Sequence, residues 1–244
     1  MSPTEPVRPG RAQWAALILF AGASGAVDVL AFIALGQVFA GVMTGNLVLL
    51  GLSLTGTGDE GGPAGRLLAL AGYMAGVAVV APFARRRAGE PENRWPRAVV
   101  RWLTAEVVLL AAVSVVWAVA GGAPARPWRD GVLVALAVAM GTQSAALAHA
   151  GTAGGPGTYF TGTLTRLVTH ATGPQGLGLA DLGSLARLVA LATGAAVTAL
   201  VYTASAPWAM AVPVLWAVAA LACVAVDPRR GWSWRRPSPA RRRG

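Results

Sequence analysis

Residues 39–54 read FAGVMTGNLVLLGLSL and residues 159–172 read YFTGTLTRLVTHAT. Each carries a short polar motif, Thr44-Gly45-Asn46 in the first and Thr161-Gly162-Thr163 in the second. Each motif follows an aromatic residue or Met and runs directly into a Leu, Leu47 or Leu164. Each also comes after a longer apolar segment holding a conspicuous polar residue, Asp28 in one half and Gln143 in the other. Polar, glycine-broken backbone is costly in lipid unless it lines a cavity inside the protein. Its occurrence twice points to a duplicated unit with a functional site between the copies.

The surrounding composition places those motifs in a membrane. Of 244 residues, 55% are hydrophobic and 12% charged, about half the charged fraction of an ordinary globular domain. Several apolar stretches approach the roughly 20 residues that cross a bilayer as a helix. The net charge of +10 comes entirely from Arg. Most arginines sit at Arg8 and Arg11, between Arg85 and Arg101, and between Arg229 and Arg243. Clusters beside apolar spans mark the cytoplasmic face of a membrane protein. They fit anionic lipid headgroups better than nucleic acid, which calls for a folded basic surface with base-reading groups. The lone Cys223 excludes an internal disulfide and a cysteine metal cluster. Ala21-Gly22-Ala23 resembles a signal-cleavage site, but the apolar pattern continues beyond it, so cleavage is not expected.

The apolar runs give spans at about 14–35, 67–83, 98–120, 132–148, 185–202 and 208–226, with motif segments at 38–54 and 159–172. If both motif segments crossed the bilayer, eight spans would put the C-terminal arginines on the opposite side from the Arg85–Arg101 loop. If both are broken or re-entrant, six spans bring the N-terminus, that loop and the tail to one face, as the positive-inside rule requires. Arg166 and His170 in the second segment also argue against a lipid-facing crossing. Three spans per half is an odd number, so the second half must be inverted relative to the first. The expected architecture is an all-α polytopic membrane protein with six transmembrane helices plus two broken or re-entrant segments, an inverted 3+3 repeat. Its expected parts are a cytoplasmic segment at 1–13, one membrane domain at 14–226 (repeats at about 14–120 and 131–226), and a basic, disordered cytoplasmic tail at 227–244.

The stretch Gly25-Ala26-Val27-Asp28 with Met43-Thr44-Gly45-Asn46 resembles the YoaK family of bacterial multi-pass membrane proteins. Met140-Gly141-Thr142-Gln143 followed by the segment 159–167 is similar to that family's second signature. The resemblance covers residues from about 14 to 226. It implies a polytopic helical fold in the bacterial inner membrane and, because the family is of unknown function, no substrate.

The candidate site residues come from the residue chemistry. Asp28 lies within the first span, where an ionisable group costs several kcal/mol unless paired, neutralised or hydrated. It is read as a proton- or cation-coupling carboxylate, against a purely structural hydrogen bond to a neighbouring helix. Thr44, Gly45, Asn46, Thr161, Gly162 and Thr163 would offer hydroxyl, amide and freed backbone groups to a solute, or else cap short helices. Arg166 could pair with Asp28, bind an anionic solute, or snorkel to headgroups together with His170. Gln143 is read as the neutral counterpart of Asp28, bonding a solute or bridging helices. Glu106 is expected at the interface near Arg97 or Arg101, with proton relay second. Trp95, Trp102, Trp128 and Trp208 fit an interfacial aromatic belt.

Without Lys there is no P-loop, no nucleophile motif of the Gly-x-Ser-x-Gly kind occurs, and His149 and His170 are too few for a histidine metal site. No cofactor, metal or enzymatic activity is expected. The sequence points first to a secondary permease or exporter of a small solute, and second to a non-transporting scaffold or accessory subunit.

Overall fold

A computed structural model of the chain describes residues 10–53, 55, 62–83, 95–126, 128–150, 160–174 and 176–225. Residues 1–9, most of the Arg85–Arg101 loop, Tyr159 and the basic tail lie outside the described residues, as do the expectations that fall on them. Among the described residues every regular element is helical: α1 (Arg11–Ala34), α2 (Met43–Ser53), α3 (Gly62–Val80), α4 (Arg97–Val119), α5 (Trp128–Ala148), α6 (Phe160–Thr172), α7 (Leu179–Ala204) and α8 (Ala211–Ala225). A 3-10 turn, Ala206–Trp208, leads into α8. Six of these units, α1, α3, α4, α5, α7 and the turn with α8, are long and apolar enough to cross a membrane. The motif helices α2 and α6 are shorter, at 11 and 13 residues. At 1.5 Å per residue they reach about 16–20 Å, short of a hydrocarbon core about 30 Å thick.

The helix boundaries correct the sequence reading in two informative places. α3 starts at Gly62 and α7 at Leu179, several residues before the apolar runs from which they were read. In α3 the first turns hold Arg66, which is buried and hydrogen-bonded to Ser53 of α2. In α7 Asp181 accepts the N–H of Gly178 at 3.0 Å, capping the helix from inside its first turn. Satisfied polar groups extended both helices past the point where hydropathy stops.

The helices are interleaved between halves. α1 packs on α7 and α8 of the second half, while α5 packs on α3 and α4 of the first, and α4 meets α8. Exchanging the halves leaves this pattern unchanged. Accordingly 72% of the apolar stretch of both α1 and α5 is buried, against 28–33% for the other four spans. The latter turn apolar side chains outward, among them Val108, Val119, Leu200 and Leu215, as a lipid-facing surface would require.

Glycines make the tight crossings. A Cβ at Gly25 would strike the Leu191 carbonyl, and one at Gly194 would strike that of Gly22, so α1 and α7 touch backbone to backbone. The α3–α5 seam repeats this: a Cβ at Gly76 would strike the Val138 carbonyl and one at Gly141 that of Tyr73. In both seams each glycine faces the residue three positions before its partner glycine. Because Cβ bonds tilt toward the helix N-terminus, this reciprocity means that the paired helices run in the same direction. Trp14 beside Gly183, near both helix starts, agrees for α1 and α7. Trp117 Nε1, near the end of α4, donates to the Ala206 carbonyl at 2.8 Å, so α4 ends where α7 ends and α8 begins. Hence α1, α4 and α7 run one way and α3, α5 and α8 the other.

Candidate functional site

Past the end of α1 the chain does not continue outward. Gly36 and Gln37 take left-handed backbone (φ 99° and 56°), and the Gln37 N–H donates to the Phe32 carbonyl at 3.0 Å. The strand-like limb that follows returns alongside α1, until the Gly41 N–H donates to Asp28 Oδ1 at 2.6 Å. Only then does α2 begin. Its N-terminus therefore lies at the depth of Asp28, and it runs back toward the level where α1 ends. The first motif segment is a re-entrant limb plus a short helix.

Asn46 fixes that limb. Its Oδ1 accepts the Phe39 N–H at 2.9 Å and its Nδ2 donates to the Phe39 carbonyl at 2.7 Å. One fully buried amide thus satisfies both backbone groups of a residue that no helix or sheet serves, a need that is acute away from water. Gly45 packs beneath Phe39, where a Cβ would lie 3.1 Å from the ring. Asn46 and Gly45 are therefore structural parts of the motif, and Asn46 faces the chain and not a solute.

α6 approaches from the other side. Phe160 and Thr161 at its N-terminus line the same cavity as Met43 and Thr44 at the N-terminus of α2. Its far end is anchored to α7: Arg166 Nη2 donates to Ser184 Oγ at 2.7 Å, and His170 Nδ1 lies 3.0 Å from both Asp181 carboxylate oxygens. Of the options the sequence leaves open for Arg166, pairing with Asp28 does not form: the guanidinium bonds Ser184 instead. Asp181 lies before the apolar run at 185–202, and nothing local in the sequence signals this contact.

The cavity has a volume of about 470 Å³, within the roughly 300–1,000 Å³ usual for small-molecule sites. It is bounded by α1 (Ser24 to Phe32), the returning limb and the start of α2, Tyr73 of α3, the start of α6, and Leu191 to Ala195 of α7. Of the residues singled out from sequence, Asp28, Thr44 and Thr161 meet here. Gly162 meets open space, and a Cβ there would touch nothing within 4 Å, so close approach does not explain that glycine. Thr163 is half-buried and does not line the cavity. The aromatic lining, Phe32, Phe39, Tyr73 and Phe160, was not read as part of a site. The signal was present in Phe39 and Phe160, which precede the two motifs.

Gln143 lies elsewhere. Its Nε2 donates to Glu106 Oε1 at 2.8 Å, linking α5 to α4. Glu106 is 1% exposed and not at an interface, which corrects the sequence expectation. Its Oε2 is buried with no hydrogen-bond partner among the described residues. If the two glycine seams are superposed, Gly25 falls on Gly141 and Asp28 on Ser144, so Gln143 is not the positional counterpart of Asp28. Trp128 and Trp208 are exposed, as an interfacial belt would require, whereas Trp95 is buried. Among the described residues no cluster of His, Cys, Asp and Glu could hold a metal ion.

Comparison with known proteins places this architecture among membrane proteins without an assigned activity. The family described as "Protein of unknown function (DUF1275)" matches residues 16–224. The UPF0700 transmembrane protein YoaK of Bacillus subtilis (strain 168) is 34% identical over 145 residues, 59% of this chain and 60% of that protein. The match thus spans less than two thirds of the relative's length. No solved structure matches.

Proposed function

The chain belongs to the DUF1275 family of YoaK-like multi-pass membrane proteins, and on that premise we propose that it is a secondary transporter of a small solute. The observation that carries the reading is the cavity in which Asp28 of α1 meets the N-termini of both motif helices. A carboxylate buried in a membrane-spanning helix, next to a solute-sized space and half-length helices, is the arrangement that alternating access and ion coupling use. The opposite running of equivalent helices, with α1, α3, α4 matched by α5, α7, α8, supports an inverted 3+3 repeat whose halves rock about the cavity. Asp28 is the coupling group, Thr44 and Thr161 orient the solute, and Asn46 with Gly45 holds the limb in place. The protein lies in the bacterial inner membrane with both termini and the Arg-rich loop in the cytoplasm, against anionic lipid, and has no enzymatic activity.

Purified protein in proteoliposomes containing a pH-sensitive dye tests this. Addition of solutes from a metabolite panel should drive a proton movement that Asp28→Asn abolishes. No solute-dependent flux in well-folded protein would sink the transport reading. The scaffold alternative draws on the Asn46 latch and the Glu106–Gln143 pair, which serve packing. It predicts that Asp28→Asn changes stability and no flux.

A further inference from the structure

We propose that the cavity takes a lipophilic organic cation, such as a quaternary ammonium or phosphonium with an aromatic body, and that cation and proton exclude one another at Asp28. This deepens the transport reading above and rests on it for the site, though not for the chemistry.

The argument comes from what lines the space. Among the described residues Asp28 is the one charged side chain in the lining, which includes no Arg or His. Around it stand four aromatic rings, Phe32, Phe39, Tyr73 and Phe160. Phe32 and Phe39 are stacked with centroids 5.1 Å apart, and the Asn46 latch on Phe39 keeps that face from drifting. Aromatic faces attract cations, most strongly away from water. A neutral solute would leave the ionised carboxylate uncompensated and so require its proton, and an anion would be repelled by the ionised form. The cationic groups nearby are engaged elsewhere: Arg166 with Ser184, and Arg187 over the Trp14 ring at 6.0 Å. Cation selectivity thus follows from one carboxylate in an aromatic enclosure of about 470 Å³.

Exclusivity follows from the same count. With a single carboxylate, neutrality in the cavity is reached by one proton or by one organic cation, and not by both. Binding the cation releases the proton and binding the proton releases the cation, which is the logic of an antiporter. Tyr73 of α3 is the other titratable group in the lining. Of the helices packed on α1, α7 brings Asp181 and Arg187 near the Trp14 end and Tyr202 at its far end against Trp117, α5 brings Arg129 and Asp130 about three turns before Met140, and α8 brings Cys223. Asp28 is therefore the group whose protonation competes.

The test is equilibrium binding to the purified full chain. Three probes are compared: benzyltrimethylammonium, its uncharged carbon isostere neopentylbenzene, and phenylacetate. The cation should bind about 10-fold or more tightly than the isostere, and its affinity should fall as the pH is lowered from 8 to 5. Asp28→Asn should lose both the preference and the pH dependence. Phe32→Leu should weaken cation binding several-fold while keeping the pH dependence, which guards against a misfolded Asp28 variant. Equal binding of cation and isostere, preference for phenylacetate, or pH-independent cation binding overturns the proposal. Flux in proteoliposomes separates the two ideas. Cation binding without flux removes the transport reading and leaves the ligand class standing, whereas flux of uncharged solutes without cation binding does the reverse.

Discussion

The α1–α7 seam and the α3–α5 seam are built alike, yet they line the cavity unequally, the first with Asp28 and much of its wall and the second with Tyr73. Each is a parallel helix pair crossing at two glycines, Gly25 with Gly194 and Gly76 with Gly141, and each glycine faces the carbonyl three residues before the other. One turn beyond Gly25 comes Asp28, held by the Gly41 N–H and open to the cavity. One turn beyond Gly141 comes Ser144, and the adjacent Gln143 turns to Glu106 inside packed helices. The motif helices differ in the same sense. Gly45 and Asn46 hold Phe39 firmly, whereas Gly162 faces empty space and α6 is held at its far end by Arg166 and His170. Two seams built alike thus have different surroundings, one beside a solute-sized space and the other beside a buried polar pair.

That comparison can be broken most violently at the seams. Gly25→Leu and Gly76→Leu should both cost more than about 4 kcal/mol, because backbone occupies the required space. Loss of the monodisperse peak in detergent chromatography is the readout, and a tolerated Leu in one seam would show that the seams are not equivalent. The next largest effect separates the halves in function. Asp28→Asn should reduce solute-driven proton flux about 10-fold or more, while Ser144→Ala, at the matching position, should leave flux unchanged.

Asn46→Ala should cost about 2–3 kcal/mol, since it strands the buried N–H and carbonyl of Phe39, and should lower the thermal midpoint. Glu106→Ala should cost about 1–3 kcal/mol by orphaning the Gln143 amide. Glu106→Gln keeps an acceptor and should be nearly neutral in the same melt. Arg166→Ala is the smallest, below about 1 kcal/mol, because the side chain is exposed and contacts a hydroxyl.

Much of the fold was legible because the bilayer imposes a simple code. Apolar runs of helix-spanning length and two short polar-broken segments gave the number and order of elements, and charge placement argued for six spans. Helix starts were less legible. Arg66 and Asp181 lie outside the apolar runs, and their partners, Ser53 and the Gly178 N–H, account for their place in α3 and α7. Asp28, Thr44 and Thr161 were legible as site candidates because polarity in an apolar context is conspicuous. The aromatic lining was not, because Phe32 and Tyr73 look like any other lipid-soluble residue. The Glu106–Gln143 bond joins residues 37 positions apart, and nothing local in either helix announces the other. Which helix packs on which was equally hidden, since every span offers small residues to several neighbours.

The interleaving of the halves bears on how the molecule is made. α1 emerges from the ribosome before the helices that cover it, α7 and α8. Until α7 and α8 are made, α1 stands in the lipid with its glycine face bare and Asp28 outside its finished enclosure. The returning limb and Asn46 can close early, being local to it, and they supply Asp28 with a backbone partner during that wait. Quality control during insertion would meet this exposed face in every unfinished chain, and a ribosome stalled after α6 would leave it permanently uncovered.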